Sequence, residues 1–511
     1  MMLAGTGSDV GKSVLAAALC RILRQDGYRP APFKAQNMAL NSYVTADGLE
    51  IGRAQAVQAE AAGIPCEADM NPLLLKPQSD HTSQVVLLGK PIGNRDAYDY
   101  WRREGKEQLR TEVCMAFDRL SLRFNPIVME GAGSISELNL RETDLVNMPM
   151  ARYAQADVIL VADIDRGGVF ASAYGSIMLQ DEEDRQRIKG IIVNKFRGDL
   201  RLFDDGRRIL EDICGVPVLG VIPYFKDIHI DEEDSMDLKG EGGRVNGEGG
   251  LRHSSLVRVA VVRLPYISNF TDFSALEHDE RVLLSYATRP DELRKADIII
   301  LPGTKSTLSD LRWLHQSGLA EVILRSRREG KTVLGICGGY QMMGVEVLDP
   351  LHVEGDIDRM PGLGLLPTTT TMAGEKRTRQ VRFGLMEKGE GGMVNGEGLR
   401  GEATSSALTG YEIHMGETRP YGDAEVTPLV RFADGTTDGC CIDEHCMGTY
   451  VHGILDNAPV VDMLLKPFAD RFGQRNVAFD YQAFKERQYD LLADHVRRHL
   501  DMPRLYSILA S

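Results

Sequence analysis

No stretch of about 18 consecutive apolar residues occurs in the chain, so the sequence offers no membrane-spanning helix. Cysteine is sparse: eight residues scattered over 511 positions do not make a disulfide framework. Cys440, Cys441 and Cys446 cluster loosely, yet their spacing with His445 matches no standard zinc pattern. Positive charge is also short, with 59 Lys and Arg against 74 Asp and Glu and a net charge of −15. That balance argues against a general nucleic-acid binder, and an anionic ligand would need locally arranged cations and backbone N–H groups. The sequence begins directly in a motif, "MMLAGTGSDVGKS", without a signal-peptide pattern. A cytoplasmic protein that engages neither membrane nor nucleic acid is expected. With 43% hydrophobic and 26% charged residues, the composition is that of a globular protein long enough for two or three cores.

Short apolar runs alternate with helical patterns up to about residue 225: "NPIVMEGAG", "ADVILVADID", "IKGIIVNKF" and "VPVLGVIP". Such runs, each closed by a polar or turn-forming residue, predict a parallel sheet wrapped by helices. The pattern gives way to Gly and charge in "DEEDSMDLKGEGGRVNGEGGLRHSS", a composition unable to bury a core. A second α/β series starts at "LVRVAVVRLP" and continues through "ADIIILPGTKST" and "KTVLGICGG". The expected fold class is therefore α/β, with two mainly parallel sheets flanked by helices. The expected domains are 1–230, a linker over 231–255, and 256–511 including a C-terminal helical tail packed on the second domain. The region from about Gly374 to Ser406 reads as a long, partly disordered insertion. It shares a Gly-rich decamer with the linker, "GEGGMVNGEG" (389–398) against "GEGGRVNGEG" (240–249), and both read as surface loops without chemistry.

"AGTGSDVGKSVLAAALCRIL" runs from a very short strand into an amphipathic helix, the context that a phosphate-binding loop requires. Thr6, Gly7 and Gly11 belong to the loop, Lys12 would reach the outer phosphates of ATP, and Ser13 would place its hydroxyl on Mg²⁺. The glycine expected five positions before Gly11 is Thr6; Gly5 stands one place earlier. Glu130 closes "PIVM" at a strand's carboxyl end, where open α/β sheets bind ligands, and a carboxylate there can hold Mg²⁺. Asn194 ends "GIIVN" with an amide able to read a base edge. Asp47 in "TADGLEIG" is a further metal candidate, although Asp-Gly is also turn chemistry. Lys34 in "PFKAQN" would add positive charge near a transferred phosphoryl group.

In "KTVLGICGGYQMMG" an apolar run delivers Cys337 to a turn before a helical pattern. The N–H groups of a helix start lower a thiol's pKa and can hold an oxyanion. On this turn alone, a small core thiol and a nucleophile both remain open. A nucleophile needs a base, and among eleven histidines His452 in "CMGTYVHGILD" ends a strand-like run before glycine. His414 in "YEIHMGET" is the next candidate. Gly303 in "LPGTKSTLSDL" offers a second turn whose N–H groups would complete an oxyanion hole.

"GICGGYQMMG" and "YVHG" resemble the class I glutamine amidotransferases, in which a cysteine and a histidine hydrolyse glutamine to release ammonia. "GTGSDVGKS", "KAQNMALNSYVT", "IGRAQ", "VMEGAGS", "ADIDRGGVFAS" and "NKFRGD" resemble the ATP-dependent synthetase domain of dethiobiotin synthetase and its relatives. Both halves in this order, with "LPGTKSTLSDL" and "GYEIHMGET", are similar to the cobyric acid synthase family of the cobalamin pathway. The resemblance implies Cys337 and His452 as the catalytic pair, with Gly303, Gly338 and Gln341 around the oxyanion and glutamine. It implies ATP and Mg²⁺ as cofactors, and L-glutamine and a corrinoid, adenosylcobyrinic acid a,c-diamide, as partners, with amides added at b, d, e and g. Many class I enzymes carry Glu two residues after the histidine; here the position is Ile454, which leaves the group that orients His452 open. The alternatives are the related a,c-diamide synthase, a nucleotide-switch ATPase of the partitioning type, and a glutamine sensor with an inert synthetase half.

Overall fold

The computed structural model describes residues 1–77, 82–96, 106–225, 227–231, 256–386, 393–394, 407–472 and 477–510. The Gly-rich decamers at 240–249 and 389–398, and the linker from 232 to 255, lie outside the described residues. The chain divides into two compact units: Met1–Ala39 with Leu49–Glu232 and Ala483–Ser511, and Leu40–Gly48 with Glu233–Gln482.

The main sheet of the first unit has six strands: β1 (Met2–Gly5), β2 (Ala31–Phe33), β3 (Ile127–Glu130), β4 (Val158–Asp163), β5 (Ile188–Phe196) and β6 (Val218–Pro223). They lie in the order β6-β5-β4-β1-β3-β2, and every neighbouring pair is parallel. The sequence VILVAD of β4 is buried at all six positions. A strand covered on both faces by helices takes such an unbroken aliphatic run instead of an alternating one. Order within the sheet sets the site: β1, which opens into the phosphate-loop motif, lies between β3 and β4, so Glu130 and the loop share one sheet edge.

The closing segment departs from expectation. Its helices, Tyr481–His499 and Met502–Ala510, belong to the first unit from Ala483 onward. Leu492, Ala493, Val496, Leu500 and Leu505 join the core formed by Leu15, Leu19, Leu23, Ile192 and Leu219. Arg21, buried on the helix Lys12–Gln25, pairs with Glu486 and Asp490, and Glu60 accepts from Lys485 and Tyr489. The apolar stripe of the tail was visible in the sequence, but only its partner decides the unit to which it belongs.

The second unit has a sheet of β7 (Val257–Val262), β8 (Val282–Ala287), β9 (Ile298–Leu301), β10 (Thr332–Ile336), β11 (Cys440–Asp443) and β12 (Cys446–Thr449), in the order β8-β7-β9-β10-β12-β11. All neighbours are parallel except β11 and β12. A second, largely antiparallel sheet was not foreseen. Its backbone is the 19-residue strand Thr368–Met386 paired with Leu408–Pro420. Gly374–Met386, read above as part of an irregular insertion, is thus strand. Its burial mostly alternates with exposure toward its ends, and it pairs on several sides, so the flanking Gly-rich composition misled.

Candidate active site

The nucleotide-loop residues converge at the carboxyl end of the first sheet. Gly11, at φ 95°, caps the helix Lys12–Gln25, and a Cβ there would lie 2.2 Å from Asn194 Nδ2. Lys12 is buried and donates to the carbonyls of Gly7 and Gly133, each at 3.0 Å. A Cβ on Gly5 would come within 2.7 Å of Lys12 Nζ and 2.9 Å of both carbonyls. Gly5 therefore does the work expected one position later: it keeps the cradle open. The Thr6 N–H bonds the Val161 carbonyl at 3.0 Å, continuing the β1–β4 ladder.

Glu130 is the hub of this edge. Its Oε1 accepts from Ser13 Oγ at 2.7 Å and Lys34 Nζ at 2.9 Å, and its Oε2 from Gln58 Nε2 at 2.7 Å. Burial alone would raise its pKa, but Lys34, Ser13 and Gln58 outweigh burial and hold the carboxyl below the ordinary range. Gln58, which also donates to the Ser13 carbonyl, was missed in the sequence. A glutamine within an alanine-rich helical run carries no signal by itself. Asn194 donates to the Val10 carbonyl at 2.8 Å, while its buried Oδ1 has no protein partner. The open cradle, the ionised Glu130 beside a hydroxyl, and this unpartnered acceptor all fit a nucleoside triphosphate with a divalent ion. Asp47 lies in an Asp-Gly turn of the segment Leu40–Gly48, where its exposed carboxylate accepts the Thr45 hydroxyl at 2.5 Å.

In the second unit β10 ends at Cys337, whose φ of 52° and ψ of −111° are unusual for a residue with a side chain. Gly335, before it, has no room for a Cβ, which would lie 2.8 Å from the Tyr340 backbone. The thiol donates to the Ile413 carbonyl at 3.6 Å and shares a side-chain hydrogen bond with His452. His452 Nδ1 lies 2.6 Å from Asp272 Oδ2; a carboxylate only accepts, so Nδ1 carries the proton and Nε2 is left for chemistry. Asp272 Oδ1 also accepts the N–H of Gly453 at 2.9 Å. Burial would lower the His452 pKa, yet Asp272 and Cys337 raise it to about 10.

Asp272 is the orienting acid that position 454 does not supply. It sits in the single turn Phe270–Phe273, in the connection that follows β7, far in sequence from the histidine. The available signal was weak: an acid between two phenylalanines, "FTDF", downstream of a strand end. Gly303 lies against the imidazole, where a Cβ would be 3.0 Å from His452 Cε1. Gly338 packs on Thr304, whose N would be 3.1 Å from a Cβ. Gln341 is committed at both ends of its amide, accepting from Thr307 Oγ1 at 2.9 Å and donating to Tyr450 OH at 3.1 Å. His414 stacks on Tyr450 at 3.7 Å and donates from Nδ1 to the Gly416 carbonyl at 2.7 Å. Burial, chiefly, pushes its pKa down to about 4, which makes it a poor proton acceptor near neutrality.

Known families match each half of the chain in turn. Residues 1–238 match the CobQ/CobB/MinD/ParA nucleotide binding domain, and residues 258–460 match the CobB/CobQ-like glutamine amidotransferase domain. A nucleotide-binding unit and a glutaminase unit in one chain define a glutamine-dependent amide-forming enzyme. Among curated proteins the chain is 65% identical over 509 residues to the cobyric acid synthase of Bacteroides fragilis, covering 100% of this chain and 98% of that one. It is 62% identical to that of Phocaeicola vulgatus over 510 residues and 46% identical to that of Salmonella heidelberg over 513, with the same coverage. The chain belongs to the cobyric acid synthase family. Among the described residues, no helix is long and apolar enough to cross a membrane.

Proposed function

We propose that this chain forms four amides, at the b, d, e and g carboxylates of adenosylcobyrinic acid a,c-diamide, with ammonia drawn from L-glutamine and ATP as activator. The substrate reading is supported by the likeness to the cobyric acid synthases. The observation that carries the nitrogen chemistry is the buried Asp272–His452 pair beside Cys337. The Cys337 proton passes to His452, the sulfur attacks the glutamine carboxamide, and the imidazolium gives the proton to the departing ammonia. Asp272 keeps Nε2 facing the thiol and stabilises the imidazolium. The backbone N–H groups of Gly303 and Gly338 hold the tetrahedral oxyanion. Gln341, tied to Thr307 and Tyr450, fixes the wall of the glutamine site. Water then releases glutamate from the thioester.

In the first unit, Gly7, Gly11 and Lys12 cradle phosphates, Asn194 Oδ1 accepts from the base, and Ser13 with Glu130 would hold Mg²⁺. Bound ATP supplies the activation that turns an unreactive carboxylate into an electrophile. Lys34 keeps Glu130 ionised for the metal and brings positive charge to the same edge.

Mass spectrometry of the corrinoid after complete reaction tests this reading. A gain of four amides agrees with it, two would favour the a,c-diamide synthase, and none would leave the switch or sensor alternatives.

A further inference from the structure

The stretch "NSYVT" has so far no part in either chemistry. Residues Leu40–Gly48 are assigned to the second unit, although the chain before and after them is assigned to the first. Asn41 Oδ1 accepts the N–H of Phe270 at 3.2 Å, and Asn269 Oδ1 accepts the N–H of Ser42 at 3.1 Å. This reciprocal clasp grips the start of the turn Phe270–Phe273, which carries Asp272. Asn269 there holds a left-handed backbone at φ 53°, a conformation that needs support from its surroundings. One residue on, the Ser42 carbonyl accepts from Tyr411 OH at 3.3 Å, and the Tyr43 ring meets Tyr411 edge-on at 4.9 Å. Val44 packs with Tyr411 and Ile413, and its carbonyl accepts from Gln380 at 2.9 Å.

These contacts end on the glutaminase pair. The Tyr411 ring stacks on His452 at 5.3 Å and 18°, Asp272 bonds its Nδ1, and the Ile413 carbonyl receives the Cys337 thiol. The titratable and polar groups around His452 are thus Asp272 from the turn, Cys337 from the end of β10, and Tyr411 with His414 from the strand Leu408–Pro420. Two of them, Asp272 and Tyr411, are seated by Asn41–Tyr43.

We infer that Asn41, Ser42 and Tyr43 are positioning residues for glutamine hydrolysis, holding Asp272 and Tyr411 against two sides of the His452 imidazole. The inference rests on the reading of Cys337 and His452 as the glutaminase pair. None of the three touches the reacting atoms; they act on the orientation and charge of the imidazole. Loosening the clasp lets Asp272 drift from Nδ1, the imidazolium loses its partner, and His452 takes the Cys337 proton less readily.

The test uses the full chain with Asn41→Ala. The kcat for glutamine hydrolysis should fall at least about tenfold with KM within about threefold, because the loss lies in proton transfer. Amide formation from ammonium salts should stay within about twofold. Alkylation of Cys337 by iodoacetamide at about pH 6.5 should slow at least about fivefold, and its pH profile should move to higher pH. A merely structural role would leave that profile in place. Tyr411→Phe, which keeps the ring on His452 and removes the bond to Ser42, should give a smaller change in the same direction. A folded Asn41→Ala protein with wild-type hydrolysis and alkylation overturns the inference. If Asn41→Ala does not fold, an unchanged alkylation profile in Tyr411→Phe overturns it. Wild-type hydrolysis by His452→Ala would instead overturn the underlying glutaminase reading.

Discussion

At 1% exposure His452 would be expected neutral, and Asp272 at 3% exposure is what reverses that expectation. Asp272→Asn keeps the shape and removes the charge. Burial then dominates, the His452 pKa falls, and the wrong tautomer becomes accessible. Glutamine hydrolysis should drop by about a hundredfold or more while ammonium-dependent synthesis persists. Steady-state rates with the two nitrogen donors check this, and equal rates in variant and wild type would remove Asp272 from the account. Lys12→Ala is the converse change: amide formation should fall more than about a hundredfold, while glutamine hydrolysis continues. Retained amidation in a folded variant would exclude the phosphate cradle. A third residue speaks to stability. Burial raises the Asp310 pKa to about 7, although the Thr304 hydroxyl and the Tyr266 N–H oppose it. An acid raised in the folded state binds its proton more tightly there than in the unfolded chain. Its contribution is therefore favourable at low pH and is lost as pH climbs from about 4 to 7. Asp310→Asn should flatten the fall in stability across that window by about 1–3 kcal/mol, read as hydrogen-exchange protection of β9 and β10 at several pH values.

Elements differ in how legibly the sequence announces them. The parallel strands were readable because runs such as VILVAD and IIIL are buried on both faces and sit between turn residues. The placement of Lys12, Ser13 and Glu130 at one sheet edge was readable because a phosphate-loop motif follows its strand and Glu130 closes a neighbouring one. Asp272 was not, since a single acid in a loop becomes informative only when folding brings it to Nδ1 of a histidine. The strand Thr368–Met386 was obscured by glycine and charge nearby, and its burial follows from pairing rather than propensity. The tail failed for another reason: an amphipathic helix declares one buried face without declaring what covers it. Leu492, fully buried with Leu15 and Leu19 in one core, tests its seat. Leu492→Ala should destabilise the first unit by about 2–5 kcal/mol. Hydrogen exchange should then rise in β1 and β4 while β9 and β10 keep their protection. The opposite distribution would contradict the placement of the helix.

For the whole molecule, two compact units separate two chemistries that need opposite environments. In the proposed reading, glutamine hydrolysis relies on a buried ion pair, Asp272 with His452, next to a thiol on a strained turn. Carboxylate activation in that reading relies on an open cradle of backbone donors with Lys12, Ser13 and Glu130 at a sheet edge. The net charge of −15 makes that cationic cradle a local feature and not a property of the surface. If the division holds, each unit keeps its own half-reaction when the other is disabled. The most direct measurement replaces Cys337 with Ala in the full chain and compares corrinoid amidation from glutamine with amidation from ammonium salts. The account predicts loss of the glutamine-dependent reaction and retention of the ammonium-dependent one within a few-fold. Loss of both in a folded protein, or retention of both, would contradict it.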